Sequence, residues 1–248
     1  MARSDSGESV LERVLRVLEC FTPETPALSV TAIAHRADLP PTTASRLVAD
    51  LVGHGLLVRD GARLRVGTRL WELGARASST LSLRETAMPV LEDLHRAVGH
   101  HAQLGVLDGD EVLFVERLSA EHAVINLTRI AARLPLHVSS SGLVLLAAAS
   151  TTLQERVLAR PLAGFTRNTI TDARVLRARL AEVRDRGVAL CPGYVHPDAT
   201  GVAVPVRDHA GHVVAAVSVV VPNDGEAART VPALTEAARR IRARLDPS

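Results

Sequence analysis

The stretch that most narrows what this chain can fold into runs from Asp38 to Val66. Ala44, Leu47, Val48, Leu51 and Val52 recur at i, i+3, i+4, i+7 and i+8, the apolar stripe of one helix. Asp38-Leu39-Pro40-Pro41 makes a tight turn ahead of it and puts proline at its first position, and Gly55 closes it at C′. Two shorter helical patterns precede that turn. Val10, Val14, Val17, Leu18 and Phe21 form the first, which ends at the breaker Thr22-Pro23-Glu24-Thr25-Pro26. Ser29 caps the second, about Val30 to Ala37, with Leu28 and Ile33 placed as a hydrophobic staple. After the third helix, Leu56-Leu57-Val58 and Leu64-Arg65-Val66 read as short strands, and the Asp60-Gly61 pair marks a hairpin between them. Helix, helix, tight turn, helix, hairpin is the order of a winged helix-turn-helix.

Reading duplex DNA requires short polar groups at the start of the third helix and basic groups on the hairpin beside it. Thr42, Thr43, Ser45 and Arg46 meet the first need, and Arg63 and Arg65 the second. The 248-residue chain carries 29 basic and 27 acidic side chains, a net charge of +2, so bulk positive charge does not drive such binding. From Arg36 to Arg69, however, there are six Arg, three Asp and no Glu. The same hydroxyls also suit helix capping, and three-helix units also mediate protein contacts, so a module that never touches DNA stays open at this point.

Other classes are harder to reconcile with the residues. Only Phe21, Trp71, Phe114, Phe165 and Tyr194 are aromatic, too few and too scattered for a base-stacking platform. Cys20 and Cys191 match no zinc or disulfide spacing, which suits a reducing compartment. Met1 to Ser9 carry Arg3, Asp5 and Glu8 and lack the apolar run of a signal peptide. No run approaches the ~20 apolar residues that span a bilayer, so a cytoplasmic protein with no membrane partner is expected. The ten histidines supply no recognisable metal-ligand set; His100-His101, and His209 with His212, suit junctions and turns. Ser141-Gly142 lacks the glycine flank of a nucleophile elbow, and Cys191-Pro192-Gly193-Tyr194 with His196 is proximity in sequence alone. No enzyme, metal or cofactor is expected.

Gly67 to Thr80 reads as a linker helix, with the domain boundary near residue 80, giving domains 1–80 and 81–248. Ser82-Leu83-Arg84-Glu85 reads as a capping box opening a helix with face Ala87, Leu91, Leu94 and Val98, interrupted by Pro89 and ended by Gly99. Ala102–Leu107 and Glu111–Leu118 flank Asp108-Gly109-Asp110 as a hairpin, and Val124–Leu127 reads as a third strand. Leu143–Ala149 is an apolar helix, and Asp172–Arg186 an amphipathic one closed by Gly187. Val202–Arg207 and Val213–Val221 form a second hairpin, and Ala233–Leu245 a last helix. A mainly antiparallel sheet flanked by helices makes the fold class α+β. Ser139-Ser140-Ser141-Gly142, at a helix start, suits a small anion, or else the serines cap that helix internally.

The residues also resemble a known family. Leu39-Pro40-Pro41-Thr42-Thr43-Ala44-Ser45-Arg46-Leu47, Gly55-Leu56-Leu57 and Leu70-Trp71-Glu72-Leu73-Gly74 are similar to the IclR family of bacterial transcriptional regulators. So are Arg84-Glu85-Thr86-Ala87-Met88-Pro89-Val90-Leu91, Leu134-Pro135-Leu136-His137, Ala203-Val204-Pro205-Val206-Arg207 and Gly211-His212-Val213-Val214-Ala215-Ala216, in the family's order. The resemblance implies a GAF-like C-terminal effector domain binding small organic acids, lactones or aromatics. It also implies a homodimer or tetramer on a roughly palindromic operator. It places His137, Ser139, Ser140, Ser141, Gly142, Cys191, Tyr194 and Ser218 near the effector. Three departures stand out. Leu143 follows Gly142 where the family commonly has lysine, Cys191-Pro192-Gly193-Tyr194 replaces an acidic pair, and Val220-Val221-Pro222 replaces Ser-Gly-Pro. A site short of polar groups predicts an aromatic or largely apolar ligand with one anionic or carbonyl group. The sequence expectation is therefore a DNA-binding repressor under effector control; an activator uses the same parts.

Overall fold

Ser9 opens the first helix with a reciprocal capping box: its hydroxyl accepts from the Glu12 amide at 3.1 Å, and the Glu12 carboxylate accepts from the Ser9 amide at 2.6 Å. In this computed structural model, which describes residues 8–22, 24–76, 79–126, 128 and 130–245, the chain divides into two compact units, Met1–Ser78 and Ser79–Ser248. The first holds α1 (Val10–Glu19), α2 (Val30–Arg36), α3 (Pro41–Gly53), the hairpin β1 (Leu57–Asp60) and β2 (Arg63–Val66), and α4 (Thr68–Ala75). The stripe read from α3 is its buried face, and Ile33, Val17, Leu57 and Leu64 close the core around it. Leu28, just ahead of α2, pairs with Leu64 through both backbone groups, at 3.0 and 2.8 Å. That bridge fastens the hairpin to the start of the second helix.

The second unit holds α5 (Ser79–Val98), β3 (His101–Asp108), β4 (Glu111–Leu118), β5 (Arg133–Pro135), α6 (Ser140–Ala148), α7 (Thr151–Leu158), α8 (Ala173–Arg186), β6 (Ala189–Pro192), β7 (Ala199–Arg207), β8 (Val213–Pro222) and α9 (Val231–Arg242). The strands form one antiparallel sheet in the order β5-β4-β3-β8-β7-β6. Alternation sends Ala102, Leu104, Val204, Val217 and Val219 to the face covered by α5 and α9. Phe114, Ala203 and Ala216 face α6 and α8. At the tips of the β1–β2 and β3–β4 hairpins, Gly61 and Gly109 take φ of +61° and +62°, a conformation that glycine adopts without strain.

Several boundaries differ from the sequence reading. Val124 to Asn126 are not a strand, and Leu127 lies outside the described residues. The outer edge of β4 is taken instead by β5 and by residues 131 and 132, whose backbones pair with both groups of Phe114. The helix after Gly67 stops at Ala75, and Ala77 and Ser78 lie outside the described residues. Ser79 and Thr80 open α5, so Ser82 sits within that helix and caps nothing. The apolar helix starts three residues earlier than Leu143, because Ser139 is its N-cap and its hydroxyl accepts from the Gly142 amide at 3.0 Å. The last helix starts earlier too, at Val231.

Arg84 of α5 reaches across to Glu116 of β4, an ion pair at 2.6 Å whose carboxylate is 2% exposed. The Arg117 amide also donates to Glu116 Oε1 at 2.8 Å. Arg84→Ala leaves that carboxylate buried with one donor and should cost about 2 kcal/mol. Urea unfolding of the full chain checks this, with Arg84→Leu/Glu116→Leu expected to recover most of the loss.

Candidate functional site

The first candidate site is the outward face of α3. Thr42, Ser45 and Arg46 are exposed and Thr43 is half-buried, while Ala44, Leu47 and Val48 point into the core. The N-cap is Pro40, which offers no side-chain hydrogen bond, so the hydroxyls do not cap the helix. Thr42, Ser45 and Arg46 fall at i, i+3 and i+4, one continuous face. On the wing, Arg63 and Arg65 project from the same face of β2, and Leu64 between them is buried on the other. Arg65 Nε donates to Asp60 at 2.7 Å. Both partners are exposed, so the pair adds little stability and is readily exchanged for another anion.

The second candidate site is a cavity at the start of α6, with about 50 Å³ open to the centre of a water molecule, room for a few waters. Its apolar walls come from Phe114, Leu134, Val138 and Val220. Gln103, Asn126, Thr128 and His196 add polar groups. Among the described residues no Arg, Asp or Glu lines it. Ser139, Ser140, Ser141, Cys191 and Tyr194 all border the cavity, as the sequence placed them.

Their hydroxyls are not equivalent. Ser139 caps the helix, and Ser141 donates to Ser218 at 2.9 Å in the buried layer behind. Ser140 makes no side-chain hydrogen bond; it packs against Gly201, where a Cβ would come within 2.9 Å of its hydroxyl. The amides of Ser140 and Ser141 open the helix, where no preceding turn supplies acceptors. These two N–H groups and one hydroxyl lie beside the cavity at the positive end of a helix dipole, where an anion is favoured.

His137, Gly142 and Ser218 do not border the cavity. His137 Nε2 bonds the Ala163 carbonyl at 2.9 Å, and a Cβ on Gly142 would lie 2.3 Å from the Leu136 carbonyl oxygen. That glycine lets α6 sit against the preceding turn. Burial pushes the Cys191 thiol up to about 12, against the opposing charge of Arg179, so it stays protonated. Gln103, Asn126, Thr128 and Gly201 were missed by the sequence reading. Gln103 left a trace as a polar residue between Ala102 and Leu104; the others meet only through the fold.

A profile described as the IclR helix-turn-helix domain matches residues 10–61, and one described as the bacterial transcriptional regulator IclR C-terminal matches residues 75–243. The chain belongs to the IclR family. This IclR-family protein is a DNA-binding transcriptional regulator with a C-terminal effector domain. It is 32% identical over 215 residues to the HTH-type transcriptional regulator XynR of Escherichia coli, covering 84% of each chain. It is 31% identical to BhcR of Paracoccus denitrificans over 97% of this chain and 88% of that one. Among solved structures it resembles an IclR homologue from Microbacterium hydrocarbonoxydans complexed with 4-hydroxybenzoate. The TM-score is 0.91 and the identity 46%, over 96% of this chain and 99% of that one. No described helix of the regulator is long and apolar enough to cross a membrane, and among the described residues no cluster of three metal-ligating side chains occurs.

Two buried histidines give the effector domain a pH response. Burial holds His101 below its ordinary pKa, helped by the charges of Arg117, His100 and His95 and opposed by its bond to the Val124 carbonyl. Burial does the same to His137, opposed by the bond to Ala163. A histidine with a lowered folded pKa binds fewer protons folded than unfolded. Its stabilisation is full above pH ~6.5 and is lost as the pH falls. The melting temperature should therefore drop between pH 7.5 and 5.5, and His101→Asn/His137→Asn should flatten that slope in differential scanning calorimetry.

Proposed function

We propose that this regulator is a repressor that leaves its operator when a small aromatic acid occupies the α6 cavity. The observation that carries the reading is the cavity's chemistry: apolar walls, no Arg, Asp or Glu among the described residues that line it, and one corner of helix-start amides and a hydroxyl. A carboxylate suits the corner and a ring suits the walls, and a cavity that now has room for a few waters widens to admit both. The 4-hydroxybenzoate held by the Microbacterium homologue is such a molecule. Ser140, Ser141, Cys191 and Tyr194 face the ligand in this reading, Ser139 fixes the helix start, and His137, Gly142 and Ser218 support them from behind. In this reading the site binds without turnover, and the protein acts in the cytoplasm as a sensor and not an enzyme.

Residues 1–80 serve as the DNA-binding domain and 81–248 as the effector and oligomerisation domain. The DNA-binding domain adds a surface of its own: Val10, Leu11 and Leu15 on α1, and Trp71 and Leu73 on α4, are exposed apolar side chains that a homodimer would also cover. Dimers pair into tetramers if a second such surface exists. Two α3 helices then enter successive major grooves, and the operator is roughly palindromic. Thr42, Thr43, Ser45 and Arg46 read bases or adjacent phosphates, and Arg63 and Arg65 hold the backbone alongside.

Arg46→Ala should weaken binding to duplex from upstream of the protein's own gene by about ten- to a hundredfold, with a far smaller loss on random duplex of equal length. Fluorescence anisotropy across a salt series reads both, and equal losses would make Arg46 a phosphate contact. Saturating aromatic acid should raise the melting temperature, whereas acetate and succinate should not. The same acid should lower operator affinity at least about tenfold, and tighter binding in its presence would contradict repression relieved by ligand.

A further inference from the structure

Asn126 lines the α6 cavity, and its carboxamide is held from one side only. The Thr128 amide donates to Asn126 Oδ1 at 3.0 Å, and the Thr128 hydroxyl donates to the same oxygen at 2.7 Å. A backbone N–H can only donate, so this contact fixes which end of the amide is oxygen. Thr128 is itself buried and fastened twice. Gln103 Nε2 donates to its hydroxyl, and Arg117 Nη1 donates to its carbonyl. What remains is Asn126 Nδ2, a buried donor with no acceptor. Of the unpartnered buried side-chain atoms among the described residues, it alone belongs to a residue lining this cavity.

Buried donors are nearly always satisfied, by protein, water or ligand. The α6 corner already offers two amides and the Ser140 hydroxyl, enough for both oxygens of one carboxylate. A further preset donor on a different segment is left for a different acceptor. We propose that Asn126 is a specificity-determining residue. Its Nδ2 donates to a second oxygen on the ring of the bound acid, a hydroxyl or carbonyl substituent, so the cavity selects oxygenated aromatic acids over bare or alkylated ones. The inference rests on the reading of this cavity as the effector site. Gln103, Thr128 and Arg117 are positioning residues, which hold the amide; Gln103 and Thr128 also border the cavity.

Isothermal titration of the full-length protein tests this with matched pairs, 4-hydroxybenzoate against 4-methylbenzoate and 3-hydroxybenzoate against 3-methylbenzoate. Methyl and hydroxyl are close in size, and only the hydroxyl accepts. For at least one pair the hydroxy acid should bind about tenfold tighter or more. Asn126→Leu keeps the side chain's bulk and removes the donor. It should cut that preference below about threefold. Thr128→Val frees the amide without deleting it and should lose part of the preference. It also serves as the deciding variant if Asn126→Leu does not fold. A preference that survives in the substituted proteins, or one absent from the unsubstituted protein that binds the acids, overturns the role of Asn126 and leaves the effector site standing. Failure of all four acids to bind the unsubstituted protein overturns both.

Discussion

A helix buried on every side can offer polar groups only at its ends, and that constraint shapes the second half of this protein. From Ser140 to Ala147 every residue of α6 is buried, between the sheet on one side and α8 on the other. Its apolar flanks leave little to hydrogen-bond beyond the Ser141 hydroxyl, so the polar groups the helix offers concentrate in its first turn. Gly142 lets the helix end press onto the carbonyl of Leu136, and Gly201 lets Ser140 approach β7. The glycines therefore determine where the amides emerge, and the surrounding loops close over that point.

Around this corner the protein spends its side-chain hydrogen bonds on holding walls in place. Thr166 and Thr169 donate to the carbonyls of Gly193 and Tyr194 at 2.5 and 2.6 Å, pinning one loop. His101 Nε2 bonds the Val124 carbonyl at 2.6 Å on the opposite side. These are backbone anchors supplied by buried or half-buried side chains, and they replace the ladder bonds that irregular segments lack. The α3 face is the reverse case. Its hydroxyls and its arginine hold nothing among the described residues, and such uncommitted groups are what an external duplex can recruit.

The contrast explains how much was legible in the sequence. Local signals were reliable where a residue acts on its own neighbours. The stripe of α3, the Ser29 and Ser139 caps, the left-handed Gly187 and the glycines at both hairpin tips all behave as their positions require. Errors arose where distant segments compete. The Val124–Leu127 run has strand character, but the edge it needed is occupied by 131–135. Ser82 heads a plausible capping box, but the helix had already begun at Ser79. In the cavity, the serine row stood out because its members are adjacent. Gln103, Gly201 and the neighbouring pair Asn126 and Thr128 sit on three separate segments and border one cavity only after folding.

That no Arg, Asp or Glu among the described residues lines the cavity has a consequence for how the two units respond to their surroundings. Contacts between arginines and phosphates weaken steeply as dissolved ions accumulate, whereas contacts with amide dipoles and apolar walls scarcely change. A rise in internal osmolarity would thus loosen the grip on the chromosome while leaving chemical sensing intact. In the proposed reading, such a regulator senses its effector by shape and lone pairs at a threshold little affected by the cell's salt, and mainly the tenacity of its hold on the promoter drifts with hydration.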